Sequence, residues 1–260
     1  MAVVAATAVE AAVEAATRPQ KMAGMQRYAR RTRWFHAGVY LFTFVALGTG
    51  LWIDLGQEGR ASFLARLLNR PDIVIHEDAG WVLAGLTVAA VIFGFRGIAT
   101  FVVESFRYRR GDAAWLWGWP KAAVTGKFRR HDGHFDPGQR IANLLLAGGL
   151  LVLIASGIAL VFVHGGLLFV RLAFIHRWTT YLLAPIIAGH IIVASGLLPG
   201  YRGVWRSMHW GGRVRTETAA RLWPEWLDEQ APSSAGPSAV PLTPQTPEPD
   251  QLPVTGEEAR

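Results

Sequence analysis

The stretch LAFIHRWTTYLLAPIIAGHIIVASGLL, Leu172–Leu198, decides the fold. It exceeds the roughly 20 apolar residues that a bilayer crossing needs, yet it carries two histidines, His176 and His190. Fourteen residues separate them, which at about 1.5 Å rise per residue is roughly 21 Å of helix. Fourteen steps of about 100° fall about 40° short of four full turns, so both imidazoles share one face. One helix thus offers a nitrogen ligand near each membrane surface. Ionisable side chains inside lipid are costly and mark a functional site whose partners lie on neighbouring helices.

The rest of the composition agrees with a membrane setting. The 260 residues are 51% hydrophobic, with 11 Trp and 13 Phe, too apolar for an ordinary soluble domain of this length. The net charge of +7 would suit nucleic acid, but the Lys and Arg sit in short segments beside apolar runs, where they set topology. Cysteine is absent. That excludes disulfides, an iron–sulfur cluster held by this chain and covalent haem attachment, so any metal has His or oxygen ligands and any haem is non-covalent.

Working outward, four spans are expected, at about 35–53, 79–103, 141–163 and 172–198, giving an all-α integral membrane four-helix bundle. Residues 1–26 read as an N-terminal extension, disordered or a frayed Ala-rich helix, because Glu10 and Glu14 interrupt what would otherwise resemble a signal sequence. Residues 27–230 form the membrane domain. The Pro-rich, polar residues 231–260 read as a disordered tail. Basic residues crowd the segment with Arg27, Arg30, Arg31 and Arg33, the loop Arg107–Arg140 and the stretch Arg202–Arg215. The other two loops hold only Arg60, Arg66, Arg70 and Arg171. The positive-inside rule places both termini in the cytoplasm of a bacterial inner membrane.

Topology sorts the histidines by depth. His36 opens the first span and His190 approaches the end of the fourth, both on the cytoplasmic side. His76 precedes the second span and His176 lies near the outer end of the fourth. The depth-matched pairs are His36 with His190 and His76 with His176. Two stacked bis-histidine pairs are what two b-type haems across the bilayer require, each iron taking an axial imidazole from two helices, each imidazole fixed by an acceptor at its other nitrogen. Gly48, Gly50, Gly157 and Gly189 offer clearance for a porphyrin or, equally, close helix packing. Arg96 is the leading candidate to pair with a haem propionate, with Arg33 and Arg177 behind it; its alternative is snorkelling to the surface. His131 and His134 read as solvated loop residues or as proton relays.

The chain resembles the gamma subunit of respiratory formate dehydrogenase, within the di-haem four-helix cytochrome b family that also includes the hydrogenase b-type cytochrome. The resemblance covers about 27–230 and rests on RTRWFHAGVYLFTFVALGTGLW, HEDAGW, GHFDPGQR, SGIAL, IHRWTTYLLAPIIAGHIIVA, YRGVWRSMHWGGRV and WPEWLDE. It implies an electron-transfer subunit, not a complete enzyme. An outer iron–sulfur partner, itself served by a catalytic subunit, would pass electrons to a haem on His76 and His176, then to one on His36 and His190, and finally to a membrane quinone. The family's quinone pocket corresponds to Asp136, Gly138 and Gln139. Where the family commonly shows Asn-Ala-Gly-Gln, this chain has Asp-Pro-Gly-Gln, and Asp136 can exchange a proton where an Asn cannot. A hydrogenase or another molybdopterin oxidoreductase as partner, a His-lined transporter and a passive membrane anchor are the competing readings.

Overall fold

The computed structural model describes residues 24–57 and 59–230; the extension up to residue 23 and the Pro-rich tail lie outside the described residues. Four helices among the described residues are long and apolar enough to cross a membrane: α1 (Arg30–Asp54), α3 (Asp72–Phe106), α5 (Pro137–Phe162) and α6 (Gly166–Ala194). The short helix α2 (Phe63–Leu68) lies between the first two, and α4 (Asp112–Thr125) precedes α5. The chain is an all-α integral membrane bundle. Large apolar side chains such as Val88, Ile92 and Phe93 on α3 and Leu167 and Leu182 on α6 point outward, as they must when lipid is the solvent.

Each helix begins where local chemistry dictates. Ser62 caps α2, its hydroxyl accepting from the Ala65 amide at 3.1 Å. It also hands its own amide to Asp72 at 2.9 Å, tying α2 to the first turn of α3, where an acidic residue complements the helix dipole. Pro71 precedes that turn. As a result α3 starts well before its apolar run, and His76 falls inside the helix instead of preceding it. Its 35 residues span roughly 52 Å, more than the roughly 30 Å hydrocarbon core, so α3 projects beyond lipid. Asp136 caps α5, accepting from the Gln139 amide at 2.8 Å, with Pro137 at the first helical position.

Helix α1 packs on α3 and α5 on α6, while α3 against α5 joins the two pairs. This leaves a slot between α1 and α6. At one end of it Arg177 pairs with Asp54 at 2.8 Å, and the Tyr181 hydroxyl also donates to Asp54.

The other end carries a folded cap. Strand β1 (Met25–Gln26) pairs antiparallel with β2 (Arg213–Val214), so the described ends of the chain meet on this terminal face. A 3-10 turn (Pro199–Tyr201) and the helices α7 (Trp205–His209), α8 (Thr216–Leu222) and α9 (Pro224–Gln230) complete it. Ala123, Tyr201, Val214, Leu222, Trp223 and Trp226 form its core. Arg27 is buried, with its guanidinium 4.7 Å from the Trp223 ring and 4.5 Å from the Trp226 ring, and it donates to the His134 carbonyl at 2.7 Å. Arg140 is buried against Asp112 at 2.8 Å and donates to the carbonyls of Phe135, Arg107 and Asp132. One guanidinium thus fastens the start of α5 to the segments on either side of α4.

Candidate functional site: paired imidazoles at two depths

The pair on the face away from the cap is the more fully built. His76 reaches it from α3 and His176 from α6. Their ring centroids lie 6.0 Å apart with the planes nearly perpendicular. Two metal–imidazole bonds of about 2 Å, plus the radius of each ring, about 1.1 Å, set centroids about 6 Å apart across one metal ion. The spacing fits an iron between them.

The tautomers fit as well. His76 Nδ1 lies 2.9 Å from the Ala46 carbonyl, which can only accept, so this nitrogen carries the proton. Thr49 Oγ1 approaches the same nitrogen at 3.3 Å. His176 Nδ1 lies 2.9 Å from Ser156 Oγ. That hydroxyl spends its own proton on the Val152 carbonyl at 2.7 Å, so it accepts from the imidazole. Both rings therefore present an Nε2 lone pair with no protein partner among the described residues, the state a metal requires.

The glycines divide into two kinds. A Cβ on Gly50 would lie 2.9 Å from His76 Cε1, and one on Gly157 would lie 3.3 Å from His176 Cε1. These two make room for the imidazoles themselves. Gly48 and Gly189 face nothing within 4 Å, as clearance for a larger group would demand. Between the helices lies a cavity of about 620 Å³, lined by residues such as Ala46, Leu47, Leu150, Leu153 and Ala184 together with both histidines. Its volume is in the usual range for small-molecule and cofactor sites, about 300–1,000 Å³, and its lining is mostly apolar.

The second pair sits nearer the cap. The His36 and His190 centroids are 6.5 Å apart, again close to the spacing across one metal. A third imidazole, His209 on α7, lies 6.0 Å from His36, and Tyr40 stands 5.7 Å from His36 and 5.9 Å from His209. His36 Nδ1 is buried with no hydrogen-bond partner among the described residues.

The turn before α5 is enclosed by the cap. Asp136 is buried. Desolvation pushes its carboxyl upward, while the Gln139 amide, His131 and Arg140 pull it back. Gly138 packs against Trp115, whose ring would meet an added Cβ at 3.2 Å. The Gln139 side-chain oxygen accepts from the Trp223 indole at 3.1 Å. The expectation of a solvated loop does not hold for His131, which is buried with Nε2 2.8 Å from the Leu222 carbonyl. Burial, then the adjacent Arg27, pushes the His134 imidazole down to about 4, against the pull of Glu104. Arg96 is exposed on α3 with its guanidinium 5.9 Å from the Phe95 ring. Arg177 is engaged with Asp54, and Arg33 Nε is buried without a partner among the described residues.

Sequence reasoning missed Thr49, Ser156, His209 and Trp223. A signal for the first two was present: Thr49-Gly50 and Ser156-Gly157 each put a hydroxyl before a glycine inside an apolar helix.

Fold and site together define a membrane-embedded helical bundle that can hold a planar metal cofactor between imidazoles. The model of the prokaryotic cytochrome b561 family matches residues 27–211, and the chain belongs to that family. It is therefore a membrane cytochrome of b type that takes part in electron transfer. No curated protein matches the chain.

Proposed function

We propose that this chain is the cytochrome b subunit of a respiratory dehydrogenase of the formate dehydrogenase type, carrying electrons through two b haems to a quinone. The observation that carries the reading is the sharing of α6 by two imidazole pairs, with centroids 6.0 and 6.5 Å apart. In this reading His76 and His176 hold the outer haem, and His36 and His190 the inner one. The basic terminal face is cytoplasmic. An iron–sulfur subunit and a catalytic subunit supply electrons from outside.

Bound haem supplies reversible one-electron chemistry at its iron. The protein's part is to hold and orient. Ala46, Thr49 and Ser156 fix the outer imidazoles in the ligating tautomer, Gly50 and Gly157 let those rings seat, and the mostly apolar slot lines the space between them. At the cytoplasmic end one quinone takes two electrons and two protons to become one quinol. Asp136, Gly138 and Gln139 form its pocket, where Asp136, its carboxyl raised by burial, holds a proton more readily than an exposed carboxylate. Arg96 or Arg33 pairs with a propionate of the inner haem.

A reduced-minus-oxidised spectrum with haem quantified per chain tests the reading. Two b haems per chain are expected. H190A should lose one haem together with quinone reduction, and H176A should lose the other. A colourless chain, or one haem insensitive to both changes, overturns the assignment. Co-purification of the partner subunits separates a formate dehydrogenase from a hydrogenase or another molybdopterin enzyme.

A further inference from the structure

The two imidazole pairs are not built alike. On α1 the Thr49 hydroxyl donates to the Val45 carbonyl at 2.7 Å and reaches the Ala46 carbonyl at 3.3 Å. On α5 the Ser156 hydroxyl donates to the Val152 carbonyl at 2.7 Å and reaches the Leu153 carbonyl at 3.3 Å. Each hydroxyl is buried, each is followed by the glycine against which the imidazole rests, and each turns its lone pairs to an Nδ1 of the outer pair. The same device thus occurs twice, on two helices, around one site. It does not occur at the inner site: His36 Nδ1 is buried without a partner, and no side-chain hydrogen bond reaches His190 among the described residues.

From this asymmetry we infer that Ser156 and Thr49 are positioning residues that hold the outer haem at a lower reduction potential than the inner one. The inference rests on the two-haem reading given above. An Nδ1–H engaged by an acceptor shifts electron density onto the ring and makes Nε2 a stronger donor, which favours the ferric over the ferrous iron. Ligand identity and burial do not separate the sites, since the ligands are imidazoles in both and all four rings are half-buried; hydrogen bonding at Nδ1 does. The step so biased is a one-electron exchange in which the outer iron is oxidised as the inner is reduced, with electrons entering from the iron–sulfur partner and leaving to quinone. Ser156 carries more of the effect than Thr49, because it meets His176 at 2.9 Å, whereas His76 at 2.9 Å from the Ala46 carbonyl has Thr49 only at 3.3 Å.

The test is a spectroscopic redox titration of the full chain in nanodiscs, after haem has been counted. Fewer than two haems per chain would overturn the underlying function. With two present, the component missing from H176A, or from H76A, is expected to be the lower-potential one. S156A should move that component alone to more positive potential, T49V should move it less, and T49S, which keeps the hydroxyl, should leave it in place. The inference fails if S156A leaves the outer potential unchanged, if both components move together, or if the histidine variants remove the higher-potential component.

Discussion

Gly50 has no room for a methyl group. Its Cβ would come within 2.9 Å of His76 Cε1, closer than real Cβ contacts allow, and the obstacle is a ring fixed by the Ala46 carbonyl, not a free side-chain end. G50A should therefore push His76 out of line and weaken haem retention at the outer site by about 100-fold, the upper end of what disturbing a ligand's support costs. G157A, with a 3.3 Å contact to His176, should cost about tenfold. G85A, where nothing lies within 4 Å, serves as the control. The haem-to-protein ratio after challenge with a haem scavenger measures all three. The histidines were legible in the sequence because a helical period converts their spacing directly into a shared face. Thr49 and Ser156 left only the faint signal of a hydroxyl before a glycine, since a hydroxyl in an apolar helix ordinarily does no more than bond back to its own carbonyls. Here it bonds back and accepts as well.

At the scale of elements, the four apolar helices could be read from length and composition, although α3 begins earlier than its apolar run because the Ser62–Asp72 contact starts it. The cap could not be read, because the residues that order the loop before α5 come from both ends of the chain. Arg27 arrives from the N-terminal side and Trp223 and Trp226 from beyond the last span. Arg140 is the central fastener, with two bonds to Asp112 at 2.8 and 3.2 Å. D112A would leave a desolvated guanidinium with only carbonyl acceptors. Removing one partner of a buried ion pair costs about 3–5 kcal/mol, enough to free the loop. The expected result is rapid proteolysis within 107–140, with the spectrum of a haem held by His76 and His176 unchanged because that pair lies at the far end of the bundle.

Across the whole molecule, the cap should respond to acid. His134 is held well below the ordinary histidine value, at about 4 in place of 6.5, first by burial and then by Arg27, whose guanidinium nitrogen lies 3.1 Å from His134 Nε2; Glu104 opposes them. Between those values the unfolded segment binds a proton that the folded cap refuses, so stability is present above about pH 6.5 and is lost as pH falls towards 4. Tryptophan fluorescence from the cap should report loosening over that interval, and H134Q should flatten the response. Finally, α6 is the last of the four long apolar helices among the described residues, and it supplies one imidazole to each pair. On the two-haem reading, a nascent polypeptide that has inserted three helices owns half of every coordination sphere and the whole of none. On that reading cofactor capture waits until the ribosome has finished the fourth helix, and a message truncated before codon 176 is expected to yield a membrane protein with no colour at all.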